Sequence, residues 1–173
     1  LKRATLVITD SYYSRYRIVH TFRPNSDPVV IHLATLLRLP SSSNSPTRKT
    51  DYIYVGGYDP RKGLEQMLDL FYELCREGKL KSRLLLAGTP IYYSDTFKKQ
   101  IQAGVERKWV EELGYIDDGA LVDVLAGARA LIYPSRYEGF GFPPMEAMAL
   151  GCPVLTTPRT SLPEVCGDAV LYA

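Results

Sequence analysis

Residues 52–88 read YIYVGGYDPRKGLEQMLDLFYELCREGKLKSRLLLAG, and the order of elements in this stretch indicates the fold class. The run YIYV (52–55) is apolar throughout, which is typical of a parallel strand covered on both faces. Apolar residues then recur at helical spacing from Leu64 to Cys75, and Gly78 ends the predicted helix. RLLLAG (83–88) reads as a second strand. Strand, helix and strand in this order form a βαβ unit, which predicts a parallel sheet.

The same alternation continues to the end of the chain. Strands are predicted at VEELGYI (110–116), ARALIYPS (128–135), PVLTT (153–157) and AVLYA (169–173), and helices at 94–109, from Asp117 or Asp118 to 128, at PPMEAMALG (143–151) and at SLPEVCG (161–167). Repeated β and α units of this length predict an α/β fold, a Rossmann-like doubly wound parallel sheet.

The first fifty residues are organised differently. ATLVIT (4–9) predicts a buried strand, Asp10 or Ser11 can cap a helix that ends near Phe22, and VVIHLAT (29–35) predicts a second strand. PSSSNSPTRKT (40–50) has no apolar periodicity, and its serines and prolines predict a linker or mobile loop. We therefore divide the chain into residues 1–40, a linker at 41–50 and a main domain at 51–173.

Composition restricts the functional classes. The 173 residues carry a net charge of only +2, which argues against nucleic acid as the main partner. The three cysteines are not in C-x-x-C spacing, so we expect neither a metal site nor a disulfide framework, and the reducing cytoplasm is the expected compartment. No apolar run reaches the roughly 18 residues of a membrane span.

Parallel sheets bind ligands at the carboxyl ends of their strands, which directs attention to the loops 56–63, 87–95 and 134–144. GGYDPRKG (56–63) approaches the phosphate-binding pattern G-x-x-x-x-G-K-[ST], with Gly56 and Lys62 at the required spacing. Arg61 and Gly63 replace the second glycine and the hydroxyl residue, which excludes a magnesium-dependent NTPase site. Cations at a helix N-terminus oppose its dipole, and a bound anion would offset that cost. An exposed basic turn is the alternative interpretation.

EGFGFPP (138–144) is the second loop of interest. Two glycines expose backbone N–H groups just before a helix that Pro143 or Pro144 begins, which favours anion binding. Pro144 stands where a dinucleotide fingerprint needs its third glycine, so a nicotinamide site loses support. Glu146 is predicted in the first helical turn, where a carboxylate either favours the dipole or accepts hydrogen bonds from paired ribose hydroxyls. Glu138 lies beside the same loop.

These motifs resemble a known family. YEGFGFPPMEAMALGCPV (137–154), followed by SLPEVCGDA (161–169), resembles the retaining glycosyltransferases of family 4, which have the GT-B fold. The family's E-x7-E motif matches Glu138 and Glu146. ATLVITDSYYSR (4–15) is similar to the last segment of that family's acceptor-side domain. The resemblance implies that residues 1–40 are a remnant of that domain and its hinge, and that residues 51–173 are the donor-binding domain, truncated at its C-terminus.

The resemblance also implies roles for single residues. Glu146 would bond the ribose hydroxyls, and Glu138 would lie near the donor sugar and its phosphates. Lys62 would neutralise the diphosphate in place of a metal, so that Glu138 and Lys62 are the expected catalytic residues. The remaining expected donor-binding residues are the backbone of Gly139, Phe140 and Gly141 at the diphosphate, the backbone of Tyr115 and Ile116 at the base, and the loop residues Gly56, Gly57 and Arg61.

One position departs from the family pattern. Gly57 stands where relatives often have an arginine that also grips the diphosphate, and Arg61 beside Lys62 is the expected substitute. If Arg61 does not take this part, donor affinity would be reduced.

By resemblance, the complete enzyme would transfer a hexose, with mannose favoured, from a GDP- or UDP-linked sugar to a glycan or lipid-linked acceptor in O-antigen-like polysaccharide synthesis. It would need no cofactor or metal, and would work in the cytoplasm with peripheral attachment to the inner face of the membrane. This chain alone would bind donor without sustained transfer. Two other functions stay open on the sequence: a non-catalytic nucleotide-sugar-binding module, and a sugar-nucleotide epimerase of the same architecture.

Overall fold

The computed structural model describes residues 1, 3–35, 37, 50–91 and 94–173. The strands are β1 (Ile8–Thr9), β2 (Val29–Val30), β3 (Tyr52–Val55), β4 (Leu84–Ala87), β5 (Val110–Gly114), β6 (Ala130–Tyr133), β7 (Val154–Thr156) and β8 (Leu171–Tyr172). The helices are α1 (Tyr12–Phe22), α2 (Leu64–Arg76), α3 (Asp95–Glu106), α4 (Asp118–Gly127), α5 (Phe142–Ala149) and α6 (Leu162–Cys166), and a 3-10 turn spans Pro60–Lys62.

The six strands β3 to β8 form one parallel sheet in the order β5-β4-β3-β6-β7-β8. This confirms the predicted doubly wound α/β fold. From β3 the chain builds outward through β4 and β5, and it then crosses back to place β6 on the other side of β3. The direction of winding therefore reverses between β3 and β6, and the loops that follow these two strands flank the crevice at the switch point.

Helices cover the sheet on both faces, because the strands are apolar on both sides. On one face α2 and α3 pack through Leu68, Phe71 and Ile101 on the sheet residue Leu84. On the other face Leu125, Ala147 and Leu162 from α4, α5 and α6 pack on the sheet. Burial on both faces fixes the ends of β3 and β6, and thus the two loops between them.

The amino-terminal segment forms a small separate sheet in which β1 and β2 pair in parallel. The predicted buried strands at 4–9 and 29–35 are wrong in extent, since each contains only two strand residues. Leu6 and Ile8 are more than half exposed, because a two-stranded pair offers little surface to cover them. The predicted cap of α1 is confirmed, as Ser14 N donates to Ser11 Oγ at 3.1 Å. The predicted linker lies outside the described residues except for Thr50.

The predicted helix 94–109 is shorter than expected. It ends at Glu106, Lys108 adopts a left-handed φ of 60°, and Trp109 leads into β5. Among the helices in the described part of the chain, none is long and apolar enough to cross a bilayer.

Candidate functional site

The two loops at the switch point meet at Gly63. Gly63 has a left-handed φ of 69°, and a Cβ at this position would lie 2.3 Å from the Pro134 carbonyl oxygen. Only glycine permits this approach between the start of α2 and the chain that leaves β6. Gly63 thus sets the separation between the side chains of the first loop and the backbone of the second.

Arg61 and Lys62 are neighbours in sequence but point to different partners. The Arg61 guanidinium is 66% exposed and binds the Asp59 carboxylate, with Nη2 at 2.8 Å from Oδ2 and Nε at 3.0 Å from Oδ1. The hydrogen bonds from Arg61 hold the pKa of Asp59 at about 2. Asp59 also caps the 3-10 turn by accepting from Arg61 N at 2.8 Å. Arg61 is therefore engaged within its own loop.

Lys62 instead reaches across to the loop that follows β6. Its Nζ lies 2.6 Å from Glu138 Oε1 and 3.1 Å from the Tyr133 hydroxyl, which itself donates to Glu138 Oε1 at 2.6 Å. The Lys62 and Glu138 side chains are 22% and 12% exposed. Burial, and then the Glu138 charge, raise the pKa of Tyr133 well above its usual range. Tyr133 therefore stays a neutral hydrogen-bond donor, and the cluster presents one cation and one carboxylate at the crevice.

The backbone of the second loop leaves its N–H groups available. Glu138 N donates to Thr160 Oγ1 at 3.1 Å. Within the described part of the chain, the N–H groups of Gly139, Phe140 and Gly141 have no acceptor. These three consecutive N–H groups, which follow the Lys62 partner Glu138 in the chain, can bind an anion.

Helix α5 begins one residue earlier than predicted. Gly141 adopts φ 108° and precedes the first helical residue, Phe142, so that the two prolines lie inside the first turn. Glu146 consequently lies in the second turn, and the prediction that it lies in the first turn is wrong. The first turn holds no acidic residue, which removes the helix dipole as an explanation for this glutamate.

Glu146 is a half-buried carboxylate. Burial, and then the charge of Asp118, raise its pKa above the ordinary value. Its charge also contributes to the raised pKa of Tyr133. No hydrogen bond to Glu146 exists among the described residues, and a desolvated carboxylate without donors is costly unless a ligand supplies them.

The remaining predicted residues lie around this centre. Gly56 has φ 143°, and Tyr54 Oη donates to the Gly57 carbonyl oxygen at 2.9 Å. A Cβ on Gly57 would meet Ile91 Cδ1 at 2.4 Å. Tyr115 and Ile116 follow β5, two strands from β3 along the same edge of the sheet. Tyr115 is 81% exposed, and in the described part of the chain no hydrogen bond joins either residue to Glu138 or Glu146.

Comparison with known proteins identifies the family. The sequence profile of the glycosyl transferases group 1 matches residues 38–171. The chain belongs to this family. O-antigen chain mannosyltransferase B of Escherichia coli is 35% identical over 184 residues, covering all of this chain and 48% of that enzyme. O-antigen chain mannosyltransferase RfbU of Salmonella typhimurium is 24% identical over 99% of this chain and 47% of its own length. The chain thus spans about half the length of each of these two enzymes.

Solved structures confirm the fold as that of a GT-B glycosyltransferase domain. Sucrose-phosphate synthase from Thermosynechococcus elongatus matches with a TM-score of 0.77 and 25% identity, over 99% of this chain and 46% of that one. Anabaena HepE, solved in complex with UDP and glucose, matches with a TM-score of 0.76 and 20% identity, over 93% of this chain and 46% of that one.

Sequence reasoning on this glycosyltransferase chain missed several residues of the site. Tyr133 was included only in a strand, although it ends β6 beside the motif. Ser11 and Ser161 contact the second loop from distant parts of the chain, and both appeared only at the starts of helices. The sequence could have indicated Tyr133, because this tyrosine ends a strand at the switch point. It could not have indicated the serine contacts, because they depend on tertiary packing.

Proposed function

We propose that this chain is the donor-binding half of a retaining hexosyltransferase of family 4. One observation supports this function above all others. At the switch point of the sheet, the Lys62–Glu138–Tyr133 cluster adjoins three consecutive backbone N–H groups, at residues 139–141, that have no acceptor in the described part of the chain. The chemistry of this arrangement fits the diphosphate of a nucleotide sugar.

The diphosphate would bind between the Lys62 ammonium and the N–H groups of Gly139, Phe140 and Gly141. Glu138 alone would repel a phosphate, but Lys62 lies 2.6 Å from it and offsets that charge. Arg61 lies at the rim, bound to Asp59, and would add only a screened attraction. The lysine and the oriented N–H groups can all donate hydrogen bonds to a diphosphate, and we expect them to bind it without a metal.

Glu146 would bind the ribose. Its carboxylate can accept hydrogen bonds from two adjacent hydroxyls, and those donors would compensate the desolvation that raises its pKa. The backbone at Tyr115 and Ile116 would frame the base further along the same edge of the sheet, with Gly56 and Gly57 leaving room for the nucleotide between them.

In the reaction, the bond between the sugar C1 and the diphosphate oxygen breaks, C1 forms a bond with the acceptor hydroxyl oxygen, and the proton of that hydroxyl passes to the departing diphosphate. The diphosphate leaves with the electron pair, and Lys62 and the N–H groups stabilise the charge that develops on it. Glu138 would lie beside the sugar and orient Lys62. We expect the acceptor pocket to come from the remaining length of the enzyme, so that this chain alone does not sustain transfer.

The relatives favour mannose as the sugar. The O-antigen chain mannosyltransferase of Escherichia coli matches the whole chain, which supports mannose as the sugar and an O-antigen-like polysaccharide as the product. We infer GDP-mannose as the donor and a lipid-linked acceptor from the sequence resemblance alone. An enzyme that works in the cytoplasm, attached peripherally to the inner face of the membrane, could reach such an acceptor. UDP in the solved complex of HepE makes UDP-linked sugars the other candidate donors.

Calorimetric titration of the chain with GDP, UDP, ADP and dTDP, first with a chelator and then with magnesium, tests the proposal. We expect one diphosphate to bind with the chelator present, and GDP to bind most tightly. Absence of binding for all four would contradict the donor-binding function. If this chain sustained sugar transfer by itself, it would not depend on further residues of the enzyme. If it converted one sugar nucleotide into another, an epimerase would be indicated instead.

A further inference from the structure

Serine hydroxyls from two distant segments bind the carbonyl oxygens of the loop that follows β6. Ser161 Oγ lies 3.1 Å from the carbonyl oxygen of Glu138 and 2.9 Å from that of Phe140, and shares its single proton between them. The Gly139 carbonyl oxygen lies 2.5 Å from Ser11 Oγ. Three successive carbonyl groups are thus bonded to serine hydroxyls, and Ser14 Oγ adds a longer bond of 3.3 Å to the Gly139 carbonyl oxygen.

Both serines are held firmly where they lie. Ser11 and Ser161 are 0% exposed. Ser11 Oγ accepts from Ser14 N at 3.1 Å, which fixes it at the N-terminus of α1. That N-terminus is bound to α6, since Glu164 accepts from Tyr12 N at 2.7 Å and from Tyr13 N at 3.2 Å.

The hydroxyls determine the direction of the N–H groups. In a planar trans peptide, a carbonyl group and the N–H of the following residue point in opposite directions. A hydroxyl on the Glu138 carbonyl therefore directs the Gly139 N–H away from Ser161, and a hydroxyl on the Gly139 carbonyl directs the Phe140 N–H away from Ser11. The same relation connects the Phe140 carbonyl with the Gly141 N–H. These three N–H groups are the ones without an acceptor in the described part of the chain.

We propose that Ser11 and Ser161 are positioning residues for the diphosphate-binding backbone of this chain. They preorganise three N–H groups for a nucleoside diphosphate before it binds, which removes a reorganisation cost from binding. The inference rests on the proposed function. It also places part of the donor site in residue 11, outside the predicted donor domain 51–173, so that α1 supports the site.

If the two serines are only structural, their hydroxyls serve to give buried carbonyl groups a hydrogen-bond donor. The two roles differ in what a substitution changes. Loss of a structural hydrogen bond lowers the melting temperature and leaves the preference for phosphate unchanged. Loss of a positioning bond weakens the response of one named N–H group to the diphosphate.

NMR titration of the 173-residue chain with the diphosphate that binds it, GDP or UDP, and with the matching nucleoside, provides this test. In the wild type we expect the amide protons of Gly139, Phe140 and Gly141 to shift downfield with the diphosphate only. Ser11→Ala should diminish the shift of Phe140, and Ser161→Ala those of Gly139 and Gly141. Each variant should lower the diphosphate affinity about tenfold and leave the nucleoside affinity within about twofold.

Tyr72→Phe is the matched control, because it removes a hydroxyl that donates to the Gln100 carbonyl at 3.1 Å between α2 and α3. It should leave both affinities unchanged. Ser14→Ala serves if Ser11→Ala does not fold, since Ser14 Oγ lies 3.3 Å from the same Gly139 carbonyl, and a smaller loss at Phe140 is then expected.

Two results would overturn the positioning role while the proposed function stands. The serine variants could leave amide shifts and affinities unchanged, or they could weaken diphosphate and nucleoside binding equally. A wild type that binds neither GDP nor UDP would contradict the proposed function first, and the positioning role with it.

Discussion

The two loops at the switch point of this glycosyltransferase chain are both rich in glycine, yet they are built in opposite ways. The side chains of the loop that follows β3 have two kinds of partner: Arg61 binds Asp59 within the loop, and Lys62 extends across the crevice to Glu138. Its backbone is held by Tyr54 at the Gly57 carbonyl and by Arg136 N at the Arg61 carbonyl. The loop that follows β6 is held from outside by serine and threonine hydroxyls, and within the described residues its N–H groups at 139–141 have no acceptor.

This difference suits the two loops to different parts in one binding site. Under the proposed function, the first loop would supply charge through the Lys62 side chain. The second loop would supply oriented dipoles, which are precise only if the surrounding structure fixes the peptide planes. Substitutions in the first loop should therefore act through charge, and substitutions around the second loop through geometry.

Replacement of Lys62 by Ala should have the largest effect on donor binding. It removes a charged hydrogen-bond donor from the diphosphate and leaves the 12%-exposed Glu138 without its cation. We expect nucleoside diphosphate affinity to fall by about 1.5–3 kcal/mol, or roughly 10- to 150-fold, by calorimetry. Lys62→Arg, which keeps the charge, should retain most of the affinity. Unchanged binding by Lys62→Ala would show that the first loop does not supply the charge.

Replacement of Glu146 by Gln should weaken binding and stabilise the free protein. The folded pKa of Glu146 is raised, so the ionised carboxylate destabilises the fold, and this cost grows as pH rises from the unfolded pKa through the raised one. At pH 7 we expect a slightly higher melting temperature and a loss of about 1–2 kcal/mol in nucleotide affinity. In the wild type, affinity should fall as pH decreases through the raised pKa. Affinity equal to wild type in Glu146→Gln would contradict the ribose assignment.

Replacement of Gly57 by Arg should strengthen binding modestly. The new Cβ would lie 2.4 Å from Ile91 Cδ1, but Ile91 is 74% exposed and can rotate away. A second cation at the crevice should raise diphosphate affinity by about 1 kcal/mol, roughly fivefold. Gly57→Gln, similar in length but uncharged, separates charge from bulk. If Gly57→Arg and Gly57→Gln lower the diphosphate affinity equally, position 57 tolerates no side chain.

Replacement of Arg61 by Ala should have the smallest effect. Its guanidinium is 66% exposed and paired with Asp59, so we expect diphosphate affinity to change by no more than about threefold. The pKa of Asp59 should rise from about 2 towards its ordinary value, which carboxylate NMR can follow. A loss as large as that of Lys62→Ala would mean that Arg61 leaves Asp59 to bind the ligand and takes the part expected of it in the sequence analysis.

Local patterns were sufficient to predict the doubly wound sheet, because apolar strands alternate with helices that are marked by apolar spacing, as in α2, or by Asp, Pro and Gly at their ends, as in α4 and α5. They were also sufficient to indicate Lys62 and Glu138, since both lie in loops that follow strands at the switch point. The contact between these two residues depends on the close approach at Gly63, which no local pattern reports.

Other features could not be predicted because their cause lies elsewhere in the chain. The proline pair suggested that α5 begins at residue 143, but Gly141 turns the chain early and moves Glu146 into the second turn. The strands near the amino terminus are short because little packs against them, although their sequence is as apolar as that of the main sheet.

A crystal structure of this chain with GDP or UDP, grown with a chelator, would show where the diphosphate binds. We expect phosphate oxygens about 3 Å from the N–H groups of residues 139–141 and from Lys62 Nζ, with the ribose hydroxyls on Glu146. A nucleotide bound with its phosphates away from the loop that follows β6, or bridged to Glu138 by a metal ion, would contradict this expectation.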